Sequence, residues 1–237
     1  EELLQRSARG LWMATFHSIC ARFLRIEAHA AGLEPNFSIY DTSDQLAVVR
    51  KAIKAAGLSD KDYPPKQIRG RISNEKNRMA SPDAVEQRAF GFYDQQVATI
   101  YRAYQKELGD NNAVDFDDLL MRTVTTLRDN TEILEKYQNR FDYILIDEYQ
   151  DTNRPQYLLA KSLAEHHQNI CVVGDDDQSI YAWRGADIRN ILDFEKDYPD
   201  TTTIRLEQNY RSTQVILDAG NAVISHNQGR KGKELWS

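Results

Sequence analysis

Two stretches gather oxygen-bearing side chains directly after short apolar runs. Asp147-Glu-Tyr-Gln-Asp-Thr152 follows Tyr143-Ile-Leu-Ile146, and Gly174-Asp-Asp-Asp-Gln-Ser179 follows Ile170-Cys-Val-Val173. Paired carboxylates can do two jobs at once: one holds a hard cation such as Mg²⁺, the other accepts a proton from water. A polar turn after a strand is the competing interpretation, and a bare Asp147-Glu148 pair favours it. Asp147 and Asp151 would also suit a Mg²⁺ nuclease, which a metal-dependent assay without ATP would reveal. Further on, Tyr181, Trp183 and Arg184 stand close in sequence. Such aromatics belong to the core by composition, but when exposed they can carry unstacked bases whatever their sequence. Tyr210-Arg211 taken alone is a helix-start aromatic beside a surface cation, and His17 a helix-start cap. The five histidines form no metal set, and His166-His167 suits a helix end.

The elements that must position these groups are legible as periodicities. Phe16, Ile19, Cys20, Phe23, Leu24 and Ile26 recur at helical spacing, with Gly32 as a stop. Thr42 and Gln45 have capping-box spacing ahead of Leu46, Val49 and Ile53, and Gly57 ends that helix. Ser81-Pro82 is an N-cap followed by Pro in the first turn. Val97, Ile100, Tyr101, Tyr104 and Leu108 form one stripe, and Asp115 caps a helix through Leu119, Leu120, Val124 and Leu127. The region from 16 to 140 is thus expected to be mostly helical. Beyond it, strands at 143–146 and 170–173 flank a helix from Gln156 to His166, and Thr203-Ile-Arg-Leu206 supplies a third strand. This alternation predicts βαβ units of a parallel sheet, with strands buried on both faces. Leu11 to Thr15 is a possible outlying strand. In open parallel sheets ligands bind beyond the carboxyl ends of the strands, where both acidic stretches fall.

The composition bounds the rest. The 237 residues carry 30 Lys and Arg against 36 Asp and Glu, a formal charge of −6. That balance argues weakly against nucleic acid as a partner, although it averages over the surface. The arc from Lys51 to Arg88 is locally basic, and a solvated set of helices is its plainer interpretation. No stretch approaches the length of a membrane span, and Glu1-Glu-Leu-Leu-Gln-Arg6 is no signal peptide. Cys20 and Cys171 make neither a disulfide framework nor a metal quartet, which points to a reducing, cytoplasmic setting.

Longer words change the balance. Asp147-Glu-Tyr-Gln-Asp-Thr-Asn153 resembles the second motif of superfamily 1 helicases of the UvrD/Rep/PcrA type. Val172-Val-Gly-Asp-Asp-Asp-Gln-Ser-Ile-Tyr-Ala-Trp-Arg-Gly-Ala186 resembles their third motif and Leu206-Glu-Gln-Asn-Tyr-Arg-Ser-Thr213 their fourth. Thr15-Phe-His-Ser18 resembles motif Ib, and Val114-Asp-Phe-Asp-Asp-Leu-Leu120 a further family stretch without an assigned role. The stretches occur in the family's order, and the third is long enough to be highly specific.

The resemblance implies an α/β fold: a RecA-like P-loop NTPase parallel sheet with a helical insertion subdomain. Residues 1–20 and 141–200 would belong to the first RecA-like domain, 21–140 to the insertion and 201–237 to the start of the second. It implies an ATP-dependent helicase moving 3′ to 5′ in DNA repair or replication, with ATP and Mg²⁺ as cofactors and single-stranded DNA and duplex junctions as partners. Asp147 would hold Mg²⁺, Glu148 would activate water, and Gln178 and Arg211 would reach the γ-phosphate. Tyr210 would stack on adenine, while Thr15, His17, Tyr181, Trp183 and Arg184 would contact DNA. A Walker A loop is absent; Gly229-Arg-Lys-Gly-Lys-Glu234 has the wrong spacing. The chain is therefore expected to be an internal fragment. A non-catalytic DNA-binding relative of the same fold is the alternative, against which the intact Asp147, Glu148, Gln178 and Arg211 argue.

Overall fold

The computed structural model describes residues 10–227 and 231–237. The expectations for Glu1–Arg6 and for the first two residues of Gly229–Glu234 lie outside the described residues. In chain order the elements are α1 (Phe16–Ile26), β1 (Ser38–Ile39), α2 (Thr42–Ala55), α3 (Pro65–Asn77), α4 (Pro82–Gln87), α5 (Phe92–Asp110), β2 (Ala113–Val114), α6 (Phe116–Asp129) and α7 (Thr131–Arg140). They continue with β3 (Ile144–Ile146), α8 (Arg154–Ala164), β4 (Ile170–Val172), the short α9 (Arg189–Leu192) and α10 (Phe194–Asp197), and α11 (Gln214–Ile224). Two compact units emerge. One comprises the chain up to Arg140 together with Arg154–Leu163; the other comprises Phe141–Asn153 and Ala164–Ser237.

The first unit is built on helical stripes that meet in one core. Val49 and Ile53 of α2, Ile68 and Ile72 of α3, and Val97, Ile100, Tyr101, Tyr104 and Leu108 of α5 are all buried. Alpha-1 packs on α6 through Phe23 and Leu24, with Tyr137 of α7 tilted against Phe23 at 4.8 Å. Stops and caps fall where turn chemistry requires them. Gly57 adopts a left-handed conformation after α2, Ser81 caps α4 ahead of Pro82, and Asp115 caps α6 in a capping box with Asp118. Gly32 does not stop α1, which already ends at Ile26; it closes a separate 3-10 turn at His29–Ala31 in a left-handed conformation. The capping box of α2 lies one residue earlier than expected, on Asp41 and Asp44 in place of Thr42 and Gln45. The Asp41 carboxylate accepts from both Ser43 and Asp44, and an anion suits the positive end of a helix better than a hydroxyl. The two-residue parallel pair β1–β2 is too short to show as a periodicity.

Beneath α3, α5 and α6 lies a fully buried ion cluster that accounts for the unassigned stretch around Asp115. Lys76 Nζ donates to Asp115 Oδ2 at 2.7 Å and lies 2.8 Å from Asp118 Oδ1. Tyr104 Oη donates to the same Asp115 oxygen, and Gln105 Nε2 to Asp118. Burial alone would push the Lys76 pKa down, but attraction to Asp115 and Asp118 outweighs it and the ammonium sits above its ordinary value. Burial and the neighbouring Asp115 carboxylate push Asp117 up to about 6.

In the second unit β3 pairs in parallel with β4. Two expectations fail here. Thr203–Leu206 is not a strand; Ile204 and Leu206 are exposed, and no neighbour among the described residues offers them a hydrogen-bonding ladder. Leu11–Thr15 is not one either, because Thr15 is occupied as the N-cap of α1. The strands are also not buried on both faces: Leu145 is 77% exposed, so that side of the two-stranded sheet is uncovered among the described residues. The fold is thus mixed helical with small parallel sheets.

Removing one partner of a buried ion cluster strands the others. Lys76→Met is expected to lower the unfolding free energy by about 3–5 kcal/mol at pH 7, measured by denaturant titration. Asp117 gives a pH signature. Its raised folded pKa favours folding below its unfolded value near 4, and this contribution is lost as pH rises through about 6. Asp117→Asn should therefore gain roughly 1–3 kcal/mol relative to the parent between pH 4 and pH 7. A difference independent of pH would refute the assignment.

Candidate active site and nucleic-acid surface

The parallel register Ile144↔Ile170, Leu145↔Cys171 and Ile146↔Val172 brings both acidic stretches to one end of the sheet. Val173 N donates to the Ile146 carbonyl, and Tyr149 N donates back to the Val173 carbonyl, so the chains stay paired past the strand ends. Asp147 and Glu148 emerge there exposed to solvent. Glu148 has φ +52° and ψ +41°, a left-handed conformation that costs a non-glycine residue about 1–2 kcal/mol. Its amide donates to Asp147 Oδ1 at 2.9 Å, fixing one carboxylate against the next residue's backbone. Strain of this kind gathers where a side chain must be aimed.

Behind the pair, Gln150 is 1% exposed. Its Nε2 donates to Glu148 Oε2 at 2.8 Å, and its Oε1 accepts from Asp175 N at 3.0 Å. Asp175 Oδ2 in turn accepts from Gln178 Nε2 at 2.7 Å. Glu148 and Gln178 are thereby the two ends of one hydrogen-bond chain. Gly174 makes room for it: a Cβ there would stand 2.6 Å from Gln150 Oε1 and 2.8 Å from Ile191 Cδ1. Thr152 closes the same seam, its carbonyl accepting from Asp187 N and from Asn190 Nδ2. Gln150, Thr152, Gly174 and Asn190 carry no role in the sequence reading. The first three sit inside the quoted motifs as apparent spacers, and only their burial and bonding distinguish them.

The donor set suits a hard cation at Asp147. One oxygen of its carboxylate is committed to the Glu148 amide, which leaves the other for an ion that needs only one or two protein carboxylates. Asp151, on the same turn, keeps a buried Oδ1 without a hydrogen-bond partner among the described residues. Asp175, Asp176 and Asp177 also cluster, but their oxygens are largely spoken for. Asp175 pairs with Lys233 and accepts from Gln178 and Asp177 N, while Asp176 accepts from Lys231 N. Burial raises the Asp175 pKa, but its bonds to Lys233 and Gln178 prevail and hold it below the usual carboxylate value.

Tyr181, Trp183 and Arg184 are brought together at the surface. The Arg184 guanidinium lies 4.5 Å from the Trp183 ring centroid and 5.1 Å from that of Tyr181, and the two rings are 6.4 Å apart. Trp183 is 71% exposed, which decides against a core role within this unit. Tyr210 and Arg211 precede α11 and are also exposed, Tyr210 Oη donating to Gln208. No hydrogen bond or ion pair among the described residues joins them to Asp147, Glu148 or Gln178. In the helical unit, the Thr15 hydroxyl caps α1 by accepting from Ser18 N. His17 lies edge-on to Phe116 at 5.7 Å, and burial lowers its pKa, favouring the neutral ring at pH 7. The basic arc is partly self-neutralised: four of its nine cations, Lys51, Arg71, Lys76 and Arg88, pair with Glu107, Asp94, Asp115 and Glu75.

The sequence places this strand-end carboxylate pair within a known family, and the chain belongs to it. The family described as UvrD/REP helicase N-terminal domain matches residues 1–199. Over all 237 residues the chain is 52% identical to the ATP-dependent DNA helicases PcrA of Bacillus subtilis and Staphylococcus epidermidis. It is 51% identical to that of Staphylococcus aureus. It covers 32% of each of these proteins, so it spans about a third of the length of the curated relatives it matches. No helix among the described residues is long and apolar enough to cross a membrane.

Proposed function

We propose that this chain is part of an ATP-dependent DNA helicase, in which it supplies the water-activating carboxylate, the γ-phosphate contact and a single-strand platform. The observation that carries this is the hydrogen-bond chain from Glu148 to Gln178 across the ends of β3 and β4. It ties a group suited to deprotonating water to the segment that leads directly to Tyr181, Trp183 and Arg184. The fold fits a RecA-like P-loop sheet with residues 21–140 as a mainly helical insertion, and the whole protein would act in the cytoplasm in repair or replication. Bound ATP and Mg²⁺ supply the electrophilic phosphorus and the charge neutralisation, with Asp147 holding the ion. Glu148 takes the proton from the attacking water, Gln178 contacts the γ-phosphate, and Arg211 offsets the charge that develops on it. Tyr210 stacks on adenine. Thr15 and His17 contact DNA from the helical unit, and single-stranded DNA at a duplex junction is the partner, with 3′-to-5′ movement.

Two outcomes test this in the whole protein. Glu148→Gln should abolish DNA-stimulated ATP hydrolysis while a fluorescent ATP analogue still binds, because the amide removes the base and leaves Asp147 in place. Surviving turnover would remove Glu148 from the role. Trp183→Ala should weaken single-strand binding by about 1–3 kcal/mol for any base sequence. Because the ring is exposed, the same change should alter unfolding free energy by less than about 1 kcal/mol. Unchanged affinity in anisotropy titrations would end the platform assignment.

A further inference from the structure

We infer that Gln150 is the positioning residue that sets the Glu148 carboxylate and couples it to Gln178. The inference rests on the functional reading above and adds a residue to it. Among the described residues of this seam, Gln150 uses its side-chain amide at both ends in opposite senses. It donates to Glu148 Oε2 and accepts from Asp175 N, and its own backbone carbonyl accepts from Ser179 Oγ at 3.4 Å. A carboxamide does this with two separate atoms at its tip, whereas a carboxylate has no donor for Glu148 and an aliphatic chain has neither group. Being buried and held against Gly174, the amide cannot turn freely. Movement of Asp175 or Ser179 is therefore transmitted to Glu148 through a rigid link, and movement of Glu148 is transmitted the other way. The charged groups around it are Asp147 and Asp151 on the same turn, Asp175, Asp176 and Asp177 beyond β4, and Lys233 paired with Asp175. Arg189, from the helix packed on this turn, pairs with Asp187.

The test is steady-state ATP hydrolysis by the whole protein, with and without oligothymidylate. Gln150→Met keeps the volume and removes both hydrogen bonds. It should lower kcat about tenfold or more with little change in KM, and should blunt the stimulation by oligothymidylate. Gln150→Glu keeps the length and the acceptor but loses the donor to Glu148, and should lower kcat and blunt the stimulation in the same way. A role in packing alone would lower the folded fraction and leave the kcat and the stimulation of the folded enzyme unchanged. Normal kcat with normal stimulation in both variants, or a loss confined to KM, overturns the inference. So does loss of the folded state in both variants by circular dichroism, since that makes Gln150 a packing residue. If the parent lacks DNA-stimulated turnover, or Glu148→Gln retains it, the functional reading itself fails. Turnover lost in Glu148→Gln but normal in both Gln150 variants refutes the positioning role alone.

Discussion

The parallel pairing of β3 with β4 fixes the two acidic stretches of the candidate site, because it decides which residues leave the sheet side by side. Three paired residues are a short ladder, yet the backbone bonds between Ile146, Val173 and Tyr149 extend it past the strand ends. A slip of one residue would turn every side chain to the opposite face and part Glu148 from Gln178. The buried Gln150 amide and the space left at Gly174 depend on that register and in return lock it. Strain at Glu148 is tolerable only because the segments on either side are held this firmly.

The helical unit solves a different problem. Its helices meet on apolar stripes, but the junction of α3, α5 and α6 is made by a charge that water would otherwise hold. Lys76 is held by Asp115 and Asp118 together, so the elements that carry these residues must meet in a defined way. Burial first, and then the neighbouring Asp115 carboxylate, raise the pKa of Asp118 and Asp117, because two carboxylates against one ammonium leave an excess of negative charge.

Helices with a full apolar stripe were legible in the sequence, as were the two apolar runs that became β3 and β4. What failed was context. Thr203–Leu206 has strand composition, but a strand is a relation between neighbours and composition carries no neighbour. The Asp41 box was missed because Thr42 offered a similar spacing and the difference lies in which oxygen meets the helix start. Among site residues, Glu148 and Gln178 stood out through their motifs and proved to be connected. The exposure of Trp183, which separates platform from core, could not be read from its type. Gln150 and Thr152 were hidden for the opposite reason: a buried polar residue has meaning only through its partners.

The helical unit is discontinuous in sequence. Residues 154–163 of α8 belong with it, although the chain first passes through the strand and turn of 141–153, and Gln138 Nε2 donates to the Ser162 carbonyl across that gap. On the ribosome, where domains form as the chain emerges at about 5–20 residues per second, this unit is incomplete when Arg140 appears. It waits until Leu163 is clear of the exit tunnel, by which time β3 and the strained turn have been made without their partner β4. For those seconds the edge of β3 is open, since the ladder to β4 cannot yet form.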